Sequence, residues 1–229
     1  MQGLMQQTPL TMVHIFERAE KYHSEKTITT ATATGIERTT YGEWAARTRQ
    51  LGGVLNKLGI SKNGRVATFA WNSARHLELY FAPPCTGRVT HTLNIRLFPE
   101  QLTYIVNHAE DEVIFIDRSL FALIAPLLPT FTTVKHLVIM DDGKGDVPKS
   151  VDGYQMHDYE ELLKGTPGVE FNITDENLAS SMCYTSGTTG NPKGVLYSHR
   201  STYLHTFGAM TVDSLGARES DTILPVVPM

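Results

Sequence analysis

Residues 184–194 read Tyr184-Thr185-Ser186-Gly187-Thr188-Thr189-Gly190-Asn191-Pro192-Lys193-Gly194, and this stretch decides what kind of sheet the chain builds. Three glycines, the hydroxyls of Thr185, Ser186, Thr188 and Thr189, and one lysine fall within eleven residues. Glycine lets backbone N–H groups come close to an anion. The hydroxyls add neutral donors, and Lys193 adds a compact positive charge. Successive N–H groups exposed in a tight loop form a concavity for anions. The stretch therefore reads as a phosphate-holding loop. Residues 178–184 before it read as a strand, residues 195–198 as another strand, and residues 199–210 as a helix. A glycine-rich loop leaving the C-terminal end of a strand is where open α/β sheets take ligands.

Working outward, the chain alternates between helical and extended patterns. Val13, Phe16 and Ala19 stand near helical spacing within residues 11–22. Threonine-rich residues 27–40 alternate around Thr34-Gly35, the pattern of a β-hairpin. Thr40 and Glu43 have capping-box spacing ahead of a helix over 44–58, and Gly59 marks its end. Runs at 65–71, 88–93, 112–117 and 134–140 read as strands, and 72–82, 99–108 and 119–128 as helices. Pro83-Pro84 is expected to end the first of these helices, and Pro99 to open the second. Residues 141–157 read as a surface loop, and 158–164 as a short helix stopped by Gly165. The alternation predicts an α/β fold: mixed, largely parallel sheets with flanking helices.

Composition narrows the function. The 229 residues are 41% hydrophobic and 19% charged, ordinary values for a globular protein. Twenty Lys and Arg against 24 Asp and Glu give a net charge of −4, which argues against nucleic acid as a partner. No apolar run reaches the roughly 18 residues that a membrane span needs. The polar, uncharged residues 1–10 lack the basic start and apolar core of a secretory signal. Cys85 and Cys183 stand in apolar contexts, so two buried thiols in a reducing compartment are expected. The sum is a cytoplasmic protein. None of the nine histidines pairs with another at zinc-like spacing near a third ligand.

Other phosphate signatures do not match. Lys193 follows Pro192 and precedes Gly194, so the Gly-Lys-Ser/Thr ending of a P-loop is missing. Ser186 occupies the place where the dinucleotide fingerprint needs a glycine, and Tyr184 and Thr188 flank it where a nucleophile elbow needs glycines. The run Tyr184 to Val195 instead resembles the signature loop of the adenylate-forming superfamily, in particular its bacterial medium- and long-chain fatty acyl-CoA synthetases. Ser198-His199-Arg200 after the loop, the block His91-Thr92-Leu93-Asn94 with Arg96-Leu97 and residues 101–108, and the terminal Leu224-Pro225-Val226-Val227-Pro228-Met229 extend the resemblance. Arg88 departs from it, standing where relatives carry a small apolar residue; Ile95 stands where proline is common.

The resemblance implies a two-step reaction. A carboxylate attacks the α-phosphorus of ATP to give an acyl-adenylate and pyrophosphate, and coenzyme A thiolate then displaces AMP. It carries β/γ-phosphate binding onto Thr185, Ser186, Gly187, Thr188, Thr189, Gly190 and Lys193, and places Thr185 near Mg2+. Residues 1–229 would form part of the large N-terminal AMP-binding domain. The family's metal-contacting glutamate, ribose-binding aspartate, hinge and catalytic lysine match nothing here, so no catalytic residue is assigned and the isolated chain is expected to be inactive. The implied partners are a fatty acid, ATP and CoA, with a homodimer as the expected assembly. Alternatives within the superfamily are an aryl-CoA ligase, an acyl-carrier-protein ligase or a luciferase-like enzyme. Outside enzymes, a non-catalytic nucleotide-binding or partner module fits the same loop. His199 reads either as a neighbour of the nucleotide or as a polar helix start, Trp44 and Trp71 as core, and the adjacent Glu160 and Glu161 as a solvated face.

Overall fold

The computed structural model describes residue 1, residues 3–185 and residues 191–227. Helix α1 (Met12–Tyr22) leads into a hairpin of β1 (Thr27–Thr32) and β2 (Gly35–Thr40), then α2 (Tyr41–Lys57). An alternating run follows: β3 (Arg65–Phe69), α3 (Ala74–Cys85), β4 (Val89–Thr92), α4 (Pro99–Ala109), β5 (Asp111–Asp117), the short α5 (Phe121–Ile124) and β6 (His136–Met140). The chain continues through β7 (Gln155–Asp158), α6 (Tyr159–Leu163), β8 (Ala179–Thr185), β9 (Lys193–Ser198) and α7 (His199–Met210). Seven strands form one sheet in the order β7-β6-β5-β3-β4-β8-β9. Every neighbouring pair is parallel except β8 with β9. The largely parallel α/β sheet expected from the alternation is therefore present.

The central strands are buried on both faces, as parallel strands covered by crossover helices must be. Side chains alternate across the sheet with period two. Ile114 and Ile116 of β5 pack with Leu102, Ile105 and Val106 of α4 and Ile124 of α5. Val113 and Phe115 point the other way, onto Leu51 and Leu55 of α2, Leu79 of α3 and Tyr159 of α6. Each such side chain contributes about 1.5–3 kcal/mol by leaving water. A third cluster joins Phe16 of α1, Trp44 of α2 and Phe171, with Phe16 and Trp44 ring centroids 5.2 Å apart.

Several local readings hold. Thr40 and Glu43 form the reciprocal capping box on α2, with Thr40 N donating to Glu43 Oε2 at 2.8 Å. Gly59 lies at φ +71 past the end of α2, and Ile60 N reaches Leu55 O at 3.1 Å in a Schellman closure. Others need correction. Pro83 and Pro84 lie inside α3 rather than after it. Pro83 cannot donate to Leu79 O, and Thr90 Oγ1 donates to that carbonyl instead at 2.9 Å. The expected 119–128 helix is α5 between two 3-10 turns, Arg118–Leu120 and Ala125–Thr130. Strand β7 emerges within the segment read as loop, because the edge of β6 offers it a ladder from His136↔Gln155 to Ile139↔Asp158. Trp71 is 45% exposed rather than core, whereas Trp44 is buried.

Arg88 is buried and fully served by neutral acceptors. Its Nε and Nη2 donate to Ile60 O at 3.1 and 2.8 Å, and Nη2 also to Asn56 Oδ1 at 2.9 Å. Burial nevertheless pulls its pKa below the ordinary arginine value.

Candidate phosphate-binding site

The phosphate-type stretch runs from the end of β8 to the start of β9, which pair antiparallel, while the other described pairs of the main sheet are parallel. Strand β8 lies parallel to β4, with His91 opposite Met182, so its end emerges on the same sheet edge as the ends of β3 and β4. The chain then reverses into β9. Thr185 and Lys193 are register partners at the base of the turn, and Tyr184 pairs with Gly194 behind them. Thr185 and Lys193 are both exposed. The structure thus brings together the two described members of the predicted site. The other five, Ser186, Gly187, Thr188, Thr189 and Gly190, lie outside the described residues.

The hairpin stem is tied down from behind. Ser180 Oγ donates to Tyr197 O at 2.9 Å across the pair. Ser198 caps α7 by accepting from Ser201 N at 3.1 Å. His199 is buried, and its Nδ1 accepts from Met12 N at 3.2 Å, so it anchors the start of α1. Burial lowers its pKa, which keeps the ring neutral for that role. His199 is therefore a helix-start anchor. Glu176 accepts from Leu10 N at 2.6 Å and pairs with Arg200, joining the N-terminal arm to the same corner. These bonds hold Glu176 below the usual carboxylate range, the Leu10 N–H foremost. Cys85 is buried, and burial raises its thiol; Cys183 is only half-buried and donates to Tyr197 Oη at 3.9 Å.

A second concavity opens at the same edge. Strands β3 and β5 are neighbours, but the chain leaves β3 through α3 toward β4 and leaves β5 through α5 toward β6. Such a switch of direction opens a crevice outside the strand ends. Here it is a cleft of about 620 Å3, bordered by Trp71, Asp117, Ser119 and Asp142 and roofed by Thr30–Ala33. Asp117 is 3% exposed and accepts from Trp71 N at 2.6 Å, yet burial pushes its carboxyl up to about 7. Sequence reading passed over Asp117. The available signal was an acid at the carboxyl end of the apolar run Val113-Ile114-Phe115-Ile116.

Glu160 also differs from its expected solvated role. It takes Arg47 at 2.8 Å and Arg75 at 3.0 Å, while Arg47 reaches the buried Glu78 at 2.6 Å. Glu160 is held low by these two arginines against the opposing effect of burial, and burial keeps Glu78 high. The network pins α2, α3 and α6 together, and Arg75 also reaches Glu37 of β2 at 3.7 Å. Among the described residues, no three His, Cys, Asp or Glu side chains converge as a metal site, and no helix is long and apolar enough to cross a membrane.

Comparison with known proteins bears on the site as a whole. A family described as AMP-binding enzyme matches residues 15–229. The chain is 46% identical to 3-methylmercaptopropionyl-CoA ligase of Ruegeria lacuscaerulensis, aligned over 100% of this chain and 42% of that protein. It is 42% identical to medium-chain-fatty-acid–CoA ligase of Ectopseudomonas oleovorans, with the same coverage, 100% and 42%. With long-chain-fatty-acid–CoA ligase of Thermus thermophilus it shares 42% identity over 98% of this chain and 40% of that protein. The chain thus spans less than half the length of these curated relatives. In solved structures, a putative long-chain-fatty-acid CoA ligase of Rhodopseudomonas palustris superposes with a TM-score of 0.77 at 20% identity, over 96% of this chain and 52% of that one. Anthranilate CoA ligase AuaEII gives 0.73 at 23% identity, over 85% and 36%; both likenesses speak for the fold.

Proposed function

The chain belongs to the AMP-binding enzyme family, and from that premise we propose that its hairpin turn holds the β- and γ-phosphates of ATP during formation of an acyl-adenylate. The observation that supports this reading most is the pairing of Thr185 with Lys193 at the base of the turn, on the ligand-bearing edge of a parallel sheet. Lys193 supplies a point charge to the departing pyrophosphate. The Thr185 hydroxyl supplies a neutral oxygen, the donor type that a hard divalent cation accepts. The donor set fits Mg2+ only together with the nucleotide's own phosphate oxygens. Bound there, the ion would neutralise charge on the phosphates. Ser186, Thr188 and Thr189 supply further hydroxyls, and Gly187 and Gly190 leave the backbone N–H groups bare.

On this reading residues 1–229 form part of an N-terminal AMP-binding domain, and a protein of the relatives' full length makes an acyl-CoA from a fatty acid, ATP and CoA. The substrate proposed is a fatty acid, as in the relatives named for medium- and long-chain fatty acids. A second reading, a short thioether acid, is favoured by the 46% identity to two enzymes named 3-methylmercaptopropionyl-CoA ligase. ATP–pyrophosphate exchange driven by a panel of carboxylic acids tests both, on this chain and on a form carrying the further length of its relatives. Exchange with fatty acids, in the longer form alone, supports the first reading; preference for the thioether acid supports the second. No exchange in a folded longer form would leave a nucleotide-binding module. Lys193→Ala is expected to lower the exchange kcat by about 100–1000-fold, as loss of one charge-stabilising donor does.

A further inference from the structure

Gly194 belongs to the phosphate-type stretch, yet its place in the fold gives it a different task. It sits in β9 directly opposite Tyr184 of β8. A Cβ built on Gly194 would lie 3.1 Å from Tyr184 Cζ, 3.3 Å from its hydroxyl oxygen and 3.4 Å from Cε1. The ring occupies the space that any other residue at 194 would claim. An aromatic ring laid over a cross-strand glycine is a recognised way to pin a sheet edge.

Tyr184 is held from two further directions. Its hydroxyl lies 2.6 Å from His108 Nδ1, in the last turn of α4. Its ring meets that of His91 at 5.3 Å between centroids. His91 is wholly buried in β4, with Nδ1 2.9 Å from both carboxyl oxygens of the equally buried Asp111. The other ring nitrogen, His91 Nε2, has no hydrogen-bond partner among the described residues. A buried polar pair of this kind carries a desolvation cost, so sheet stability alone does not account for it. What the pair does supply is a buried, fixed ring against which Tyr184, the residue next to Thr185, packs at an interplanar angle of 45°. Burial pushes the Tyr184 phenol up to about 12, so it stays neutral beside His108.

We propose that Tyr184 is a positioning residue for the phosphate loop, clamped between His108, the His91–Asp111 pair and the bare backbone of Gly194, and that Gly194 is glycine to admit this ring rather than to meet phosphate. The loop's first anchored residue, Thr185, takes its height above the sheet from the clamp. The inference rests on the phosphate reading only for its effect on ATP; the clamp itself is a property of the stem.

A double-mutant cycle separates these. The variants are Gly194→Ala, Tyr184→Ala, their combination and the conservative Tyr184→Phe. Backbone hydrogen exchange across β8 and β9 is read on the 229-residue chain, and ATP affinity with magnesium and the ATP KM are read on the longer form. Gly194→Ala alone is expected to speed stem exchange and weaken ATP binding by about 10-fold each; in the Tyr184→Ala background it should change both by less than about 2-fold. Tyr184→Phe should raise the ATP KM by about 3-fold with kcat and Tm unchanged, the mark of lost positioning rather than lost folding. Equal cost of Gly194→Ala in both backgrounds would overturn the proposal, because glycine would then be needed for something other than the ring. So would stem exchange in Tyr184→Ala indistinguishable from wild type. Should the wild-type protein bind no ATP, the functional reading falls, and the exchange data alone still decide the clamp.

Discussion

Two buried groups titrate in opposite directions, and each makes a prediction at the scale of a residue. His76 is buried between Trp71 O, 3.1 Å from Nδ1, and Thr68 Oγ1, 3.0 Å from Nε2. Burial pulls its pKa from 6.5 to about 4. The unfolded chain takes up the proton first, so stability is fully present above pH 6.5 and falls as pH drops toward 4, by about 3 kcal/mol at the limit. His136 and His157 are lowered in the same sense, chiefly by partial burial, and steepen the loss. Asp117 runs the other way, its carboxyl pushed from 3.8 up to about 7. The folded state holds that proton, so the stability it contributes is present below 3.8 and is lost as pH rises through about 7. Asp117→Asn keeps an acceptor for Trp71 N–H and removes the charge. Thermal melts should show this variant about 2–4 kcal/mol more stable than wild type at pH 8, with the gap closing toward pH 4. A variant less stable than wild type at pH 8 would show that the ionised carboxylate is needed.

At the scale of elements, packing overrules propensity. Gly53 lies within α2, where alanine is intrinsically better by about 1 kcal/mol. A Cβ there would stand 2.4 Å from Pro167 O, a backbone atom that cannot yield cheaply. Gly53→Ala is therefore expected to lower the denaturant midpoint, against its helix propensity. Thr90→Val should cost about 1–2 kcal/mol, because it strips Leu79 O of the hydroxyl that replaces the missing Pro83 N–H. A neutral result in chemical denaturation would mean that this carbonyl is satisfied in some other way. The elements that were legible in the chain were those with local causes: the Thr40–Glu43 box, Gly59 in the left-handed region, Pro99 at the first turn of α4. Strand β7 and the persistence of α3 through two prolines were not legible, since a vacant sheet edge and a hydroxyl from another strand produced them.

At the scale of the whole molecule, one flank lacks cover. Leu196 of β9 and Leu204, Phe207 and Met210 of the neighbouring α7 are each 47% exposed or more. Exposed apolar residues on packed neighbouring elements mark association. Light scattering on the 229-residue chain is expected to show concentration-dependent self-association, and Leu204→Ser with Phe207→Ser should reduce it while leaving the melt of the β3–β6 core in place. A homodimer surviving both substitutions would place the contact elsewhere.

What the sequence by itself determined was the α/β class, through alternating periods; the dense run of glycine, hydroxyl and lysine, whose chemistry is local, marked the candidate phosphate site. The family followed from the same residues. The tertiary structure alone decided that Thr185 and Lys193 face each other, that Gly194 makes room for Tyr184, that His199 anchors α1, and that Asp117 is buried at the switch of strand direction. The physical reason is range. Periodicity and turn chemistry act over a few residues, whereas cross-strand register, burial and desolvation depend on which distant segment the sheet brings alongside.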